Sequence, residues 1–136
     1  MHVFLVNPHD KSVYIQKRSE TKNYLPGFYC TSAGGHVQAG ESYEQAAARE
    51  LNEELGLQLP LRKIHETNFV LDNQNRFIHV FAAFSSETPR FADGEVAGGS
   101  FMSFDEAMAL VAAGEKIHPQ LDLCFRWLYA NKEKIF

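Results

Sequence analysis

Residues 35–57 read GHVQAGESYEQAAARELNEELGL, and this stretch decides the fold. Gly34, Gly35 and Gly40 keep its beginning irregular. Ser42, with Gln45 three residues on, fits a capping box and predicts a helix start. Tyr43, Ala47, Leu51 and Leu55 then recur every four residues as an apolar stripe, and Gly56 is a natural stop. On that helix Glu50 and Glu54 are i, i+4 neighbours, and Glu53 lies i, i+3 from Glu50. The three carboxylates share one edge, opposite most of the stripe.

Clustered carboxylates repel one another, and a hard divalent cation is the usual compensation. An oxygen-rich, water-retaining site of this kind suits Mg²⁺ or Mn²⁺. Such ions bridge carboxylates to substrate phosphates and lower the pKa of bound water. Arg49 is placed either to hold a glutamate in a bidentate pair or to contact a phosphate. A Glu/Arg-rich amphipathic helix taken alone is more often a solvated face. The spacing of the whole stretch decides otherwise. Gly35 is followed by five residues and then Glu41. Seven residues later come Arg49-Glu50-Leu51, a free position, Glu53-Glu54, a second free position, and Gly56-Leu57.

These residues resemble the 23-residue box of the Nudix hydrolase family, matching it at every defining position. The resemblance implies an α/β (α+β) fold, an α/β/α sandwich with a mixed β-sheet, as one domain over residues 1–136. It also implies hydrolysis of a diphosphate bond in a nucleoside diphosphate derivative or a related small diphosphate, with water attacking phosphorus. By this carry-over Glu50, Glu53 and Glu54 are metal ligands or the base. Gly34 adds its backbone carbonyl to the metal, while Glu41 and Arg49 organise charge around the site.

Upstream, Gln16-Lys17-Arg18-Ser19, Lys22, Pro26-Gly27 and Gly34-Gly35-His36-Val37 are similar to the branch containing isopentenyl-diphosphate isomerase and its hydrolase relatives. That resemblance implies that Arg18 and Lys22 grip a diphosphate, as a forked donor and a point charge. Two exposed loop cations are the alternative. The isomerase's catalytic cysteine falls where this chain has Gly34, and its acidic pair falls at Gln74 and Arg76. Allylic isomerisation needs a proton donor and an acceptor on opposite sides of a carbon skeleton. A hydrolase is therefore expected over an isomerase. A non-catalytic module that senses a nucleotide metabolite is the third reading, against which the repelling acidic triad weighs.

Other candidates are softer. Glu95 is a plausible base or extra ligand, or else half of a structural salt bridge. His36 is a phosphate contact or a packing residue, and completes the candidate substrate set of Arg18, Lys22, Glu41 and His36. His118, before Pro119, caps a helix or lines the pocket. Tyr24, Phe28 and Tyr29 are placed to stack on a base or cover a tail, with core burial the expected fate of at least one.

The rest of the chain suits one compact domain of 136 residues. Val3 to Val6 and Val13 to Ile15 predict a hairpin across Asn7-Pro8-His9-Asp10. Strands are expected at about 63–72 and 76–85, joined through Asp72-Asn73-Gln74-Asn75, with Phe77 and Phe81 in the core. Residues 87–99 read as loop, and Ser100 to Phe104 as a short strand. A helix capped by Ser103 or Asp105 should run through Val111 to Gly114, and a last one over about 119–132. Net charge is −4, which argues against a nucleic-acid polymer as partner. No apolar run reaches the roughly 18–20 residues of a membrane helix, and no secretory signal is visible. The two cysteines, without metal spacing, are expected to be free and reduced, and with no targeting signal in sight the expected location is the cytoplasm. A chain starting inside its first strand leaves an edge on which a homodimer can pair.

Overall fold

The computed structural model describes residues 1–20, 25–90 and 96–135, with the backbone alone for Leu71, Val96 and Ala97. β1 (His2–Asn7) and β2 (Ser12–Arg18) form the expected hairpin, in register at Val6↔Val13 and Asn7↔Ser12. β3 (Tyr29–Cys30) pairs with β2, and β4 (Ala33–Gly34) pairs with β1. α1 (Tyr43–Leu55) follows, then β5 (Arg62–Leu71), β6 (Gln74–Phe84) and β7 (Val96–Ser103). α2 (Phe104–Ala113), α3 (Pro119–Ala130) and α4 (Lys132–Ile135) complete the chain. The sheet order is β3-β2-β1-β6-β5, with β4 also on β1 and β7 also on β2. β1 and β6 run parallel and the other pairs antiparallel, so the sheet is mixed.

The apolar run of β1 is continuous because both of its faces are covered. Val3 and Leu5 pack with Ala46, Ala47, Leu51 and Leu55 of α1. Phe4 and Val6 pack with Phe104, Ala107 and Val111 of α2 and Leu121, Phe125 and Leu128 of α3. This is the α/β/α sandwich that the sequence implied. No helix among the described residues is long and apolar enough to cross a membrane.

Five local expectations are corrected. Tyr43 is 37% exposed and stacks on His79, leaving Ala46, Ala47, Leu51 and Leu55 as the buried face of α1. Gln74 and Asn75 belong to β6, because Asp72 and Asn73 alone make the turn with φ of 52° and 62°. Asp and Asn tolerate that left-handed pair, which suits the twist of a hairpin. Phe77 is 62% exposed rather than core. β1 pairs with β6 only from Val80 to Phe84, so the outer end of the β5–β6 hairpin overhangs its neighbour. Residues 96–99 are strand, paired to Gln16, Lys17 and Arg18 of β2. Finally, β1 lies between β2 and β6 and offers no edge to a second copy.

Candidate active site

α1 is held at both ends by its own sequence. Gln45 N–H donates to Ser42 Oγ at 3.1 Å, and Ser42 N–H donates to Gln45 Oε1 at 2.8 Å, the expected capping box. At the other end Gly56 takes φ 67° and donates its N–H to Asn52 O at 2.9 Å. With Leu51 and Leu55 fixed in the core, the helix has one rotation, and its carboxylates turn toward the loop that begins at Gly34.

Glu54 is the buried member. Its Oε2 accepts the Gly34 N–H at 2.9 Å, and its Oε1 accepts a Gln16 Nε2–H at 3.2 Å. Gln16 is itself fixed, donating to Ser32 O at 3.0 Å and accepting from Cys30 Sγ at 3.2 Å. These neutral donors do not offset the loss of water. Burial raises the Glu54 pKa to about 8 against the pull of both donors, and the charge of Glu50 and a carboxyl–carboxylate hydrogen bond to it push the same way.

Arg49 gathers the other carboxylates. It grips Glu41 through Nε at 2.8 Å and Nη2 at 3.1 Å. Nη1 reaches Glu50 at 2.8 Å and Glu53 at 3.2 Å, and Nη2 also donates to His36 O at 3.1 Å. The ion pair with Arg49, helped by the Gln38 N–H, holds Glu41 below the usual carboxylate range. Of the two placements open to Arg49, the pairing with glutamates is the one formed here. Glu41 ties Arg49 to the glycine-rich loop. Gly35 passes so close that a Cβ there would stand 2.5 Å from Glu50 Oε1.

A cavity of about 430 Å³ opens beside Glu54, lined among the described residues by His2, Gln16, Arg18, Cys30, Thr31, Gly34, Gly35, His36, Phe69, Arg76, His118 and Gln120. Arg18 and His36 therefore face the site with Gly34 and Glu54. His118 does both things expected of it: its Nδ1 accepts the Gln120 N–H at 3.1 Å to cap α3, and it lines the cavity. Burial and the charge of Arg18 lower its pKa. Tyr29 packs against the core, with Lys17 Nζ 5.9 Å from its ring centre. Lys22, Tyr24 and Glu95 lie outside the described residues.

Sequence reasoning missed Gln16, His2 and Arg76 as site residues. Gln16 carried a signal, being a polar residue at the end of the apolar run Val13-Tyr14-Ile15. His2 is buried, bridges Thr31 at 2.8 Å and Gln120, and is kept neutral by burial with its pKa near 3.

The residues present fit a divalent cation. Glu50 lies within hydrogen-bond reach of the buried Glu54, and two carboxyl groups set together mark a place where positive charge is wanted. Among the described residues no three acidic, imidazole or thiol side chains already surround one point, since Glu53 is turned out to Arg49 and half-exposed. Mg²⁺ commonly takes only one or two carboxylates and completes its shell with water and substrate oxygens.

The model of the NUDIX domain matches residues 1–123. A Nudix hydrolase of Deinococcus radiodurans is 31% identical over 98% of this chain and 79% of its own length. A prenyl-diphosphate phosphatase of Methanosarcina mazei is 34% identical over 62% of this chain, which spans about half (49%) of that relative. An isopentenyl-diphosphate Delta-isomerase of Photorhabdus laumondii is 30% identical over 74% of this chain and 59% of its own length. A crystal structure of a Deinococcus radiodurans protein superposes with a TM-score of 0.82 at 31% identity, covering 94% of this chain and 80% of that one. Carrying the acidic helix, the glycine loop and the sandwich that presents them, the chain belongs to the Nudix family of hydrolases.

Proposed function

We propose that this protein hydrolyses a diphosphate bond in a nucleoside diphosphate derivative or a related small diphosphate, by attack of water on phosphorus. The observation that carries the reading is Glu54, a buried carboxylate raised to about 8, set against Glu50 at the wall of a cavity that Arg18 also lines. Glu50 and Glu54, with Glu53 and the Gly34 carbonyl, are the groups that would hold Mg²⁺ or Mn²⁺. Such an ion, when bound, neutralises diphosphate charge and makes water a better nucleophile. The chain's own residues do the rest. Gly34 N–H and Gln16 fix the Glu54 carboxyl, and Arg49 fixes Glu50 and Glu53. Arg18 and His36, with Lys22, take phosphate oxygens. The proton of the attacking water passes to one of the box glutamates or to Glu95.

Glu54→Gln tests this. Turnover should be nearly abolished across a panel of nucleotide sugars, dinucleoside polyphosphates, nucleoside phosphates, coenzymes and prenyl diphosphates, while a cooperative melt shows the fold intact. Undiminished hydrolysis by that variant removes the reading. Running the active substrates in ¹⁸O-water identifies the phosphorus attacked.

One observation favours a second reading. Cys30 lines the same cavity as Glu54, so a thiol and a carboxyl do share the site, as allylic isomerisation requires. Position 34 cannot supply that thiol, because a Cβ there would stand 2.9 Å from His2 Nδ1 and 3.2 Å from the Met1 carbonyl. Deuterium exchange into isopentenyl diphosphate separates the two reactions.

A further inference from the structure

Arg76 carries a buried donor that no described residue satisfies. It is on β6 directly opposite Phe69 of β5, on the overhanging end of that hairpin. Both side chains line the cavity that holds Glu54. The Arg76 Nε is buried and has no hydrogen-bond partner among the described residues. A buried donor left so is unfavourable by an amount comparable to a lost hydrogen bond, and native structures supply an acceptor. None of the described residues supplies one here, which points to an acceptor on what enters the cavity.

The charge pattern says what that acceptor is. The chain as a whole carries −4, yet the described lining holds two guanidiniums, Arg18 and Arg76, against the single carboxyl of Glu54. The cavity is thus a local reversal of the protein's sign. A diphosphate at the acidic helix is already provided for by the cation site and by Arg18. Arg76 is surplus to it, and a planar fork of N–H donors is matched to the oxygens of a phosphate or carboxylate.

We propose that Arg76 binds a second anionic group of the substrate, a phosphate monoester or a carboxylate carried on a part of the molecule away from the scissile diphosphate, with Phe69 packed beside the bound portion. The substrate is therefore a diphosphate with an additional negative group. This rests on the diphosphate-hydrolase reading above and narrows it.

The test uses pairs that differ by one anionic group: coenzyme A against its 3′-dephospho form, NADP against NAD, and UDP-glucuronic acid against UDP-glucose. The third pair separates carboxylate from phosphate. The protein should favour the more anionic member of at least one pair by about ten- to a hundredfold in kcat/KM, the range of a charged hydrogen bond. In Arg76→Gln that ratio should fall toward one, and in Arg76→Lys to an intermediate value. The same pairs are titrated calorimetrically, with Mg²⁺, into Glu54→Gln protein with and without Arg76→Gln. If binding shows the ratio and its loss while no pair is hydrolysed by the unmutated protein, Arg76 stands and the hydrolase reading falls. If hydrolysis proceeds but every ratio is near one, or survives in Arg76→Gln, the role given to Arg76 is overturned and the hydrolase reading stands. Near-unity ratios in binding as well as in rate, with no hydrolysis, overturn both.

Discussion

Binding of Mg²⁺ should expel a proton from this protein at neutral pH. Glu54 holds a proton at neutral pH, because burial, helped by the neighbouring Glu50 charge, brings its pKa to about 8. Applying that value to a simple titration, the site carries about nine-tenths of a proton at pH 7 and about one-tenth at pH 9. A cation bound by the Glu54 carboxylate needs it ionised, so its arrival releases the proton that Glu54 holds. Apparent Mg²⁺ affinity should rise by about tenfold per pH unit below 8 and level off above it. The assay is calorimetric titration of Mg²⁺ in buffers of different ionisation enthalpy. At pH 7 the heat should depend on the buffer with a slope near one proton, and at pH 9 hardly at all.

The same shift fixes the sign of a stability effect. The folded protein holds this proton more tightly than the unfolded chain, whose carboxyl titrates at 4.5. The stabilisation is fully present below 4.5 and is lost as pH rises toward 8, with a slope of at most about 1.4 kcal/mol per pH unit. Saturating Mg²⁺ should flatten that slope in denaturant titrations. Glu54→Gln should remove both the slope and the proton release. Buffer-independent heats at pH 7 with clear Mg²⁺ binding would refute the reasoning, because Glu54 would then have been ionised beforehand.

Two further outcomes follow from the geometry around Glu50. Arg49→Lys cannot reproduce a fork that meets Glu41, Glu50 and Glu53 at once, and activity or metal affinity should fall by about ten- to a hundredfold in steady-state and titration measurements. Gly35→Ala puts a Cβ 2.5 Å from Glu50 Oε1, so it should weaken Mg²⁺ binding and turnover together while circular dichroism reports an intact fold.

The parts of this molecule that were legible in its sequence are those set by neighbours along the chain. Ser42 with Gln45 marked the start of α1, Gly56 its end, and Ser103 and Gly114 the limits of α2. The i, i+4 relation of Glu50 and Glu54 needed only the helical repeat. Where local pattern misled, tertiary placement overrode it. Phe77 has the composition of a core residue but lies beyond the reach of β1, and Tyr43 continues the apolar stripe but finds His79 instead of the core. The partners of Glu54 lie on other elements, Gly34 twenty residues and Gln16 thirty-eight residues away, and no periodicity announces such a pairing. Arg76 was legible only as a residue out of place. Its nearness to Glu54 is a consequence of how the β5–β6 hairpin overhangs.

That dependence on distant partners sets this glutamate-rich helix apart from a solvated face. A single arginine meets three of the carboxylates in the segment: Glu41, Glu50 and Glu53 all reach Arg49. Glu54 is left with neutral donors, Gly34 N–H and the Gln16 amide, which orient a carboxylate but supply no net charge. The uncompensated charge of the cluster is thereby concentrated on its most buried member, at the wall of the cavity. On an exposed helix, water would spread the same charge and Glu54 would titrate like any surface carboxyl. What the fold adds is the removal of water from one oxygen-bearing group with no cation given in return. At neutral pH a proton occupies that place, and in the proposed reaction a divalent cation with a substrate diphosphate would take it over.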